Sequence, residues 1–277
     1  MGHIEWINED VQRNFQAVLF DFDGTISLIR EGWQPIMYSY FAEVLTEVSQ
    51  GQSQEEIGQC VREFVDLLTG KQTIYQCMYL ADEIRRRGGR PEDPSVYKAE
   101  YSRRLLLHIE DRVWGLKTGK VEPEQYLVPG SLELLDYLRS QGLDLYLASG
   151  TDHEYVQEEA AALGVSDYFN GGIYGALDDY KMFSKEKVIK ELILPRIQTA
   201  EALLGFGDGY VEIENVKVVG GIAVGVASRE KERRGIDRWK RSRLIKAGAD
   251  VIIGDYRCQE ALFLGLTEGV DLDVSSV

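Results

Sequence analysis

Ala17-Val18-Leu19-Phe20-Asp21-Phe22-Asp23-Gly24-Thr25 is the stretch of this 277-residue sequence that decides the fold. A short apolar run ends here in two carboxylates, a glycine and a hydroxyl, as a buried strand would if its last residues opened into a site. Strand periodicity puts Asp21 and Asp23 on the same side, so both carboxylates face one small volume. Because two close anions repel, this pair suggests a divalent metal, with one carboxylate as nucleophile and the other as acid/base.

The run from Asp21 to Thr25 resembles the first motif of the haloacid dehalogenase (HAD) superfamily. In that family the first aspartate attacks phosphorus and forms an aspartyl-phosphate, which the resemblance implies for Asp21. Taken alone, the run could also be a strand followed by an Asp-Gly turn with solvated acids. The rest of the chain must therefore supply the partners of a site.

The composition indicates a globular protein and narrows its partners. The chain is 44% hydrophobic and 28% charged, and its formal net charge of −15 argues against nucleic acid as the main partner. No apolar run is long enough to span a membrane, residues 1–16 are too polar for a signal peptide, and coiled-coil heptads are absent. We therefore expect a cytoplasmic protein, a monomer or weak dimer, with reduced thiols at Cys60, Cys77 and Cys258.

Between residues 28 and 127 the sequence predicts only helices. Apolar residues recur there at three- and four-residue spacing, which is the stripe of an amphipathic helix. The four predicted helices cover residues 32–48, 57–68, 74–84 and 95–111. We interpret this block as an all-helical insertion between one strand and the next helix of a sheet.

From Val128 onwards strands and helices alternate, as is typical of α/β proteins. The predicted strands cover residues 143–148, 173–174, 202–206, 222–226 and 251–253. The expected fold is a Rossmann-like, doubly wound and mostly parallel α/β core of the HAD type with an inserted helical cap. Residues 1–27 and 128–277 would form the core, and residues 28–127 the cap.

Ser149-Gly150-Thr151 ends one predicted strand and precedes a helix. A hydroxyl and backbone N–H groups at that place suit a phosphate oxygen, through hydrogen bonds and the helix dipole. The alternative is a turn in which Thr151 or Asp152 caps the helix. Because this strand end shares its edge of the sheet with Asp21, we favour phosphate binding.

A lysine is expected near the phosphate, where charge develops on the equatorial oxygens. The segment that starts at Lys185 resembles the lysine-led helix of HAD phosphatases. Other HAD members place this lysine in a loop before that helix, so Lys181 remains the alternative.

Asp208 and Glu212 follow another apolar strand, as in the last HAD motif. Mg²⁺ demands near-octahedral oxygen ligation and keeps several waters, so two or three carboxylates plus a substrate phosphate are sufficient. The resemblance implies a Mg²⁺ site made by Asp21, the main-chain oxygen of Asp23, Asp208 and Glu212. Family members commonly carry Asp where this chain has Glu212, which could ligate the metal or bind its water.

The expected reaction is Mg²⁺-dependent hydrolysis of a small phosphorylated metabolite. Asp23 argues against a dehalogenase-type reaction. In phosphoester hydrolysis a second acid must give a proton to the leaving oxygen, and HAD dehalogenases lack that second acid. A phosphomutase of the β-phosphoglucomutase kind and a non-catalytic binding module on the same fold are the alternatives. Candidate substrate contacts are Arg30, Trp33, Lys71 and Tyr75, all of which could instead be packed or solvated.

Overall fold

The computed structural model describes residues 3–177 and 179–268. Helices cover both faces of one sheet over this part of the chain. None of the helices described is both long and apolar enough to cross a bilayer. The predicted α/β fold with a mostly parallel sheet is confirmed.

The sheet of the described residues has seven strands: β1 (Ile4–Trp6), β2 (Ala17–Phe20), β3 (Asp144–Asp152), β4 (Gly172–Ala176), β5 (Leu203–Gly207), β6 (Ile222–Val226) and β7 (Val251–Ile253). Their spatial order is β1-β7-β6-β5-β2-β3-β4. Only β1 and β7 pair antiparallel; the other neighbours among these strands are parallel. Since β2 has β3 on one side and β5 on the other, its carboxyl end lies at a topological switch point, where ligands of open α/β sheets bind.

β2 is a strand buried on both faces. Val18 and Phe20 belong to one apolar cluster, and Ala17 and Leu19 belong to a second one on the opposite face. The Phe20 ring stacks on that of Phe206 in β5, with 4.8 Å between centroids. A parallel strand covered on both sides needs a continuous apolar run, which is why the run breaks only where the site begins.

The helices that flank the sheet begin with α5, after the inserted block. α8 packs on β5 and β6, and α6 packs on β3 and β4. The short helix α7 leads directly into a π-helical segment, Val188–Ile193. In the described residues these helices are α5 (Ser131–Ser140), α6 (His153–Ala162), α7 (Lys185–Lys187), α8 (Tyr210–Val218), α9 (Arg238–Lys246) and α10 (Gln259–Thr267).

Four helices lie between β2 and α5, in the places that the apolar stripes predict. They are α1 (Trp33–Thr46), α2 (Gln54–Leu68), α3 (Thr73–Arg86) and α4 (Pro94–Lys117). A capping box of Ser53 and Glu56 starts α2, and the Asp93 side chain caps α4 ahead of Pro94. Their inward faces belong to the same apolar cluster as one face of the sheet.

The two ends of this inserted block are joined by main-chain hydrogen bonds. Leu28 N donates to Tyr126 O (2.7 Å) and Val128 N donates to Ile26 O (2.9 Å). Because the chain leaves and re-enters the sheet layer at one place, we propose residues 28–127 as the cap and the flanking segments as the core.

The structure differs from the sequence-based expectation in three elements. β1 was not predicted, because three half-exposed residues carry no readable period. α8 was also not assigned, although its residues include Glu212. α4 continues six residues beyond the predicted end at residue 111, to Lys117, with Gly115 and Leu116 buried in its last turn.

Candidate active site

The candidate site lies at the carboxyl ends of β2, β3 and β5, under the helices α1, α3 and α4. A cavity of about 110 Å³ opens there. Its walls bring together most residues that the sequence singled out: Asp21, Asp23, Arg30, Trp33, Lys71, Ser149, Gly150, Thr151, Lys185, Asp208 and Glu212. Strand ends that are far apart in sequence therefore meet at one edge, as the parallel topology requires.

Asp21 directly follows β2 and is paired with Lys185. Lys185 Nζ donates to Asp21 Oδ1 at 2.6 Å and also to Glu212 Oε1, and all three side chains are buried. Burial raises the pKa of Asp21; the ammonium of Lys185 opposes that rise, whereas Glu212 and Asp208 reinforce it. The ammonium of Lys185 thus favours the ionised form of this buried carboxylate, against the larger effect of burial.

The Asp23 carboxylate accepts hydrogen bonds from two hydroxyls of the neighbouring strand β3. Thr151 Oγ1 donates to Asp23 Oδ2 at 2.9 Å, and Ser149 Oγ donates to the same oxygen at 3.1 Å. Asp23 Oδ1 is buried and makes no hydrogen bond within the described residues, with Arg30 Nε 3.7 Å away. One carboxylate oxygen is therefore held in place while the other remains available to exchange a proton.

Arg30 lines the cavity but already has an acidic partner. Its Nε donates to both carboxylate oxygens of Glu159, at 3.0 and 3.1 Å, and its Nη2 donates to Oε1 at 2.6 Å. Burial raises the pKa of Glu159, and the Arg30 guanidinium opposes it. Sequence reasoning missed Glu159, because it lies mid-helix in α6 with no motif around it.

Asp208, after β5, contacts a second, largely buried lysine that sequence reasoning missed. Lys240 Nζ, from α9, donates to Asp208 Oδ2 at 2.7 Å and to Glu230 Oε1 at 2.6 Å. Burial lowers the pKa of Lys240, but the two carboxylates outweigh this effect and raise it above its ordinary value. Glu230 comes shortly after β6, so its position after a parallel strand could have indicated a place near the site. Nothing in the sequence pattern indicates Lys240.

Asp21, Asp208 and the main chain of Asp23 offer oxygen donors of the kind that a divalent cation such as Mg²⁺ takes. The Asp208 carboxylate lies so close to Gly24 that a Cβ there would overlap it. Its oxygens thus border the peptide that follows Asp23. No three His, Cys, Asp or Glu side chains of the described residues are grouped closely enough to hold an ion by themselves. Two carboxylates and a carbonyl suffice, however, because Mg²⁺ keeps several waters and accepts substrate oxygens.

Two of the predicted residues lie away from the cavity. Lys181 is exposed, 5.8 Å from the centroid of the Tyr180 ring, so Lys185 rather than Lys181 contacts Asp21. Tyr75 is 36% exposed, and its ring packs edge-on against Tyr180. Trp33 and Lys71 line the cavity, as expected of residues that could contact a substrate.

The family model described as haloacid dehalogenase-like hydrolase matches residues 15–220. The comparison with curated protein sequences gave no match.

Several solved structures share the fold at low sequence identity. A phosphonoacetaldehyde hydrolase-like protein from Oleispira antarctica is 15% identical, with a TM-score of 0.62 over 97% of this chain and 99% of its own. A predicted phosphoglycolate phosphatase from Haemophilus somnus is 17% identical (TM-score 0.58; 91% and 99% covered). A protein provisionally named β-phosphoglucomutase from Thermotoga maritima is 18% identical (TM-score 0.52; 90% and 99% covered).

Proposed function

This chain belongs to the haloacid dehalogenase-like hydrolases, and from that premise we propose that it hydrolyses the phosphomonoester of a small metabolite with the aid of Mg²⁺. The observation that carries the proposal is the arrangement around the two aspartates. Asp21 is paired with Lys185 at 2.6 Å, and Asp23 is held by two hydroxyls on the neighbouring strand. One carboxylate thus contacts an ammonium that favours its charged, attacking form, and the other is oriented for proton transfer.

The first half-reaction transfers the phosphoryl group to Asp21. An Asp21 carboxylate oxygen attacks phosphorus in line, an O–P bond forms, and the bond from phosphorus to the leaving oxygen breaks. Asp23 donates its proton to that leaving oxygen, so the alcohol departs neutral. Lys185, together with the main chain around Gly150, stabilises the charge on the equatorial oxygens.

The second half-reaction returns the enzyme to its starting state. Asp23, now ionised, takes a proton from a water molecule that attacks the aspartyl-phosphate. The bond between phosphorus and the Asp21 oxygen breaks, inorganic phosphate leaves, and both carboxylates are as before. Ser149 and Thr151 hold Asp23 through both steps.

Asp21, Asp208 and the main-chain oxygen of Asp23 are the groups that we propose hold the metal, with Glu212 acting through Lys185. When bound, Mg²⁺ supplies charge neutralisation between the phosphate and the attacking carboxylate. The free thiols of Cys60, Cys77 and Cys258 are compatible with a reducing compartment, so we propose the cytoplasm as the site of action.

The experiment that tests the proposal is hydrolysis of p-nitrophenyl phosphate by wild type, Asp21→Asn and the surface control Asp82→Asn, with Mg²⁺ and with EDTA. We expect metal-dependent turnover that Asp21→Asn abolishes and Asp82→Asn retains, with all three proteins folded by thermal melting. Turnover that survives in Asp21→Asn would contradict the proposed nucleophile. Conversion of a sugar phosphate to its isomer without release of inorganic phosphate would favour the phosphomutase alternative.

A further inference from the structure

Lys240 makes a second carboxylate–lysine–carboxylate bridge, separate from that of Lys185. Its Nζ lies 2.7 Å from Asp208 Oδ2 and 2.6 Å from Glu230 Oε1. The side chain of Lys240 is only 13% exposed, and those of Asp208 and Glu230 are each 20% exposed. Two carboxylates that are this close and largely shielded from solvent would repel each other strongly without the ammonium between them.

The position of this bridge connects it to the place of the proposed metal. Lys240 Nζ also lies 3.5 Å from Ser228 Oγ, which donates to the main-chain oxygen of Gly24 at 3.0 Å. Asp208 Oδ2, the oxygen that Lys240 contacts, is the atom that a Cβ at Gly24 would meet first. The lysine therefore approaches Asp208 beside the same loop that would hold the cation.

We propose that Lys240 is a built-in counter-cation of the metal-binding half of the site. It holds Asp208 and Glu230 together when no metal is bound, and its charge weakens the affinity of the site for a divalent cation. This role rests on the proposed metal-dependent function. It makes Lys240 a positioning residue, which acts through Asp208 and not on the substrate.

The distribution of charges around the cavity supports this role of Lys240. Six carboxylates line the cavity, namely those of Asp21, Asp23, Glu31, Asp208, Glu212 and Glu230. Lys185 bridges Asp21 and Glu212, and Lys240 bridges Asp208 and Glu230, so four of the six already share an ammonium. A bound divalent cation would add positive charge within a few ångströms of Lys240, and that repulsion is absent if the lysine is replaced by a neutral residue.

The test is a Mg²⁺ titration of EDTA-treated wild type and Lys240→Met by calorimetry, with thermal melting in EDTA and in Mg²⁺. We expect Lys240→Met to bind Mg²⁺ about tenfold more tightly, because one opposing charge is gone. Its melting temperature should fall in EDTA, where Asp208 and Glu230 repel, and recover in Mg²⁺. Lys240→Arg keeps the charge, so its dissociation constant should stay within about threefold of wild type.

Lys217→Met is the matched control. Lys217 also bridges to a buried carboxylate, with Nζ 2.8 Å from both oxygens of Asp250, but outside the cavity. Its loss should lower the melting temperature equally in EDTA and Mg²⁺ and leave Mg²⁺ affinity unchanged.

Three results would overturn the role of Lys240. If Lys240→Met behaves as the Lys217→Met control does, the bridge is structural only. If Lys240→Met binds Mg²⁺ more weakly, the lysine orients Asp208 for the metal and does not compete with it. If neither wild type nor Lys240→Met binds a divalent cation, the metal site itself is wrong; failure of wild type to hydrolyse phosphomonoesters is a separate result, read from the phosphatase assay.

Discussion

Asp23 is held at Oδ2 by Ser149 and Thr151, while its Oδ1 makes no hydrogen bond among the described residues. If Asp23 protonates the leaving oxygen, Asp23→Asn should lower kcat/KM by about 10²–10⁴-fold for an alkyl phosphate such as glycerol phosphate. The loss should be smaller for p-nitrophenyl phosphate, because nitrophenolate leaves without a proton. Steady-state kinetics with both substrates measure the difference.

Asp152→Asn is the control for this comparison. Asp152 is the last residue of β3, directly after Thr151, and it lies outside the described cavity. It should leave the ratio between the two substrates unchanged. Equal losses for both substrates in Asp23→Asn would contradict a role in protonating the leaving group.

The residues that the sequence revealed differ in kind from those it did not. Asp21, Ser149 and Asp208 end apolar strands, and parallel strands bring their ends to one edge, so position in the chain predicts position in space. Glu159 and Lys240 reach the site from helices, α6 and α9, whose rotation and tilt are set by packing on the sheet. No local pattern encodes that rotation, which is why their contacts appear only in three dimensions.

At the scale of elements, α10 contains a glycine that its packing requires. A Cβ at Gly265 would overlap the ring of Trp6 in β1. Alanine favours a helix over glycine by about 1 kcal/mol, but forcing the rigid ring aside costs about 1–3 kcal/mol. We therefore expect Gly265→Ala to lower the free energy of unfolding, measured by urea denaturation.

Gly58, in the second turn of α2, provides the matched control. The nearest atom to a Cβ there is the mobile end of the Arg62 side chain, at 3.4 Å. Gly58→Ala should therefore raise the free energy of unfolding by about 0.5–1 kcal/mol, from helix propensity alone. A stabilising Gly265→Ala would show that β1 does not pack on α10 as described.

The elements themselves were predictable to different degrees for physical reasons. α1 to α3 have clear apolar stripes, and β2, β5 and β6 are apolar along their whole length. The first pattern is enough to predict a helix, and the second is enough to predict a buried strand. β1 lies at the edge, has three half-buried residues, and owes its existence to its antiparallel partner β7. A strand that depends on a partner 249 positions away, from Ile4 to Ile253, carries little local signal.

Across the whole molecule, Gln72 joins the inserted helices to the loop that leads to Lys185. Its buried Nε2 donates to the main-chain oxygens of Phe183 (2.9 Å) and Tyr180 (3.1 Å). Gln72→Ala leaves both carbonyls without this donor, so we expect a loss of about 1–3 kcal/mol in the free energy of unfolding. The kcat for p-nitrophenyl phosphate should fall as well, because the loop before Lys185 loses its tie.

Gln59→Ala is the comparison for this change, since Gln59 is exposed on α2 and bonds only to Glu63 among the described hydrogen bonds. It should alter neither stability nor kcat by more than the error of measurement. If Gln72→Ala also changed neither the free energy of unfolding nor kcat, the contact between the inserted helices and the loop before Lys185 would have no role in stability or activity.

The pairing of β1 with β7 also bears on how the protein is made. At a translation rate of about 5–20 residues per second, the 249 positions from Ile4 to Ile253 take roughly 10–50 s to synthesise. Throughout that interval β1 has left, or is leaving, the ribosome without the strand that it pairs with. The sheet edge that carries β1 is thus completed last, and until then the ring of Trp6, which later packs against Gly265, is a surface that a chaperone could bind.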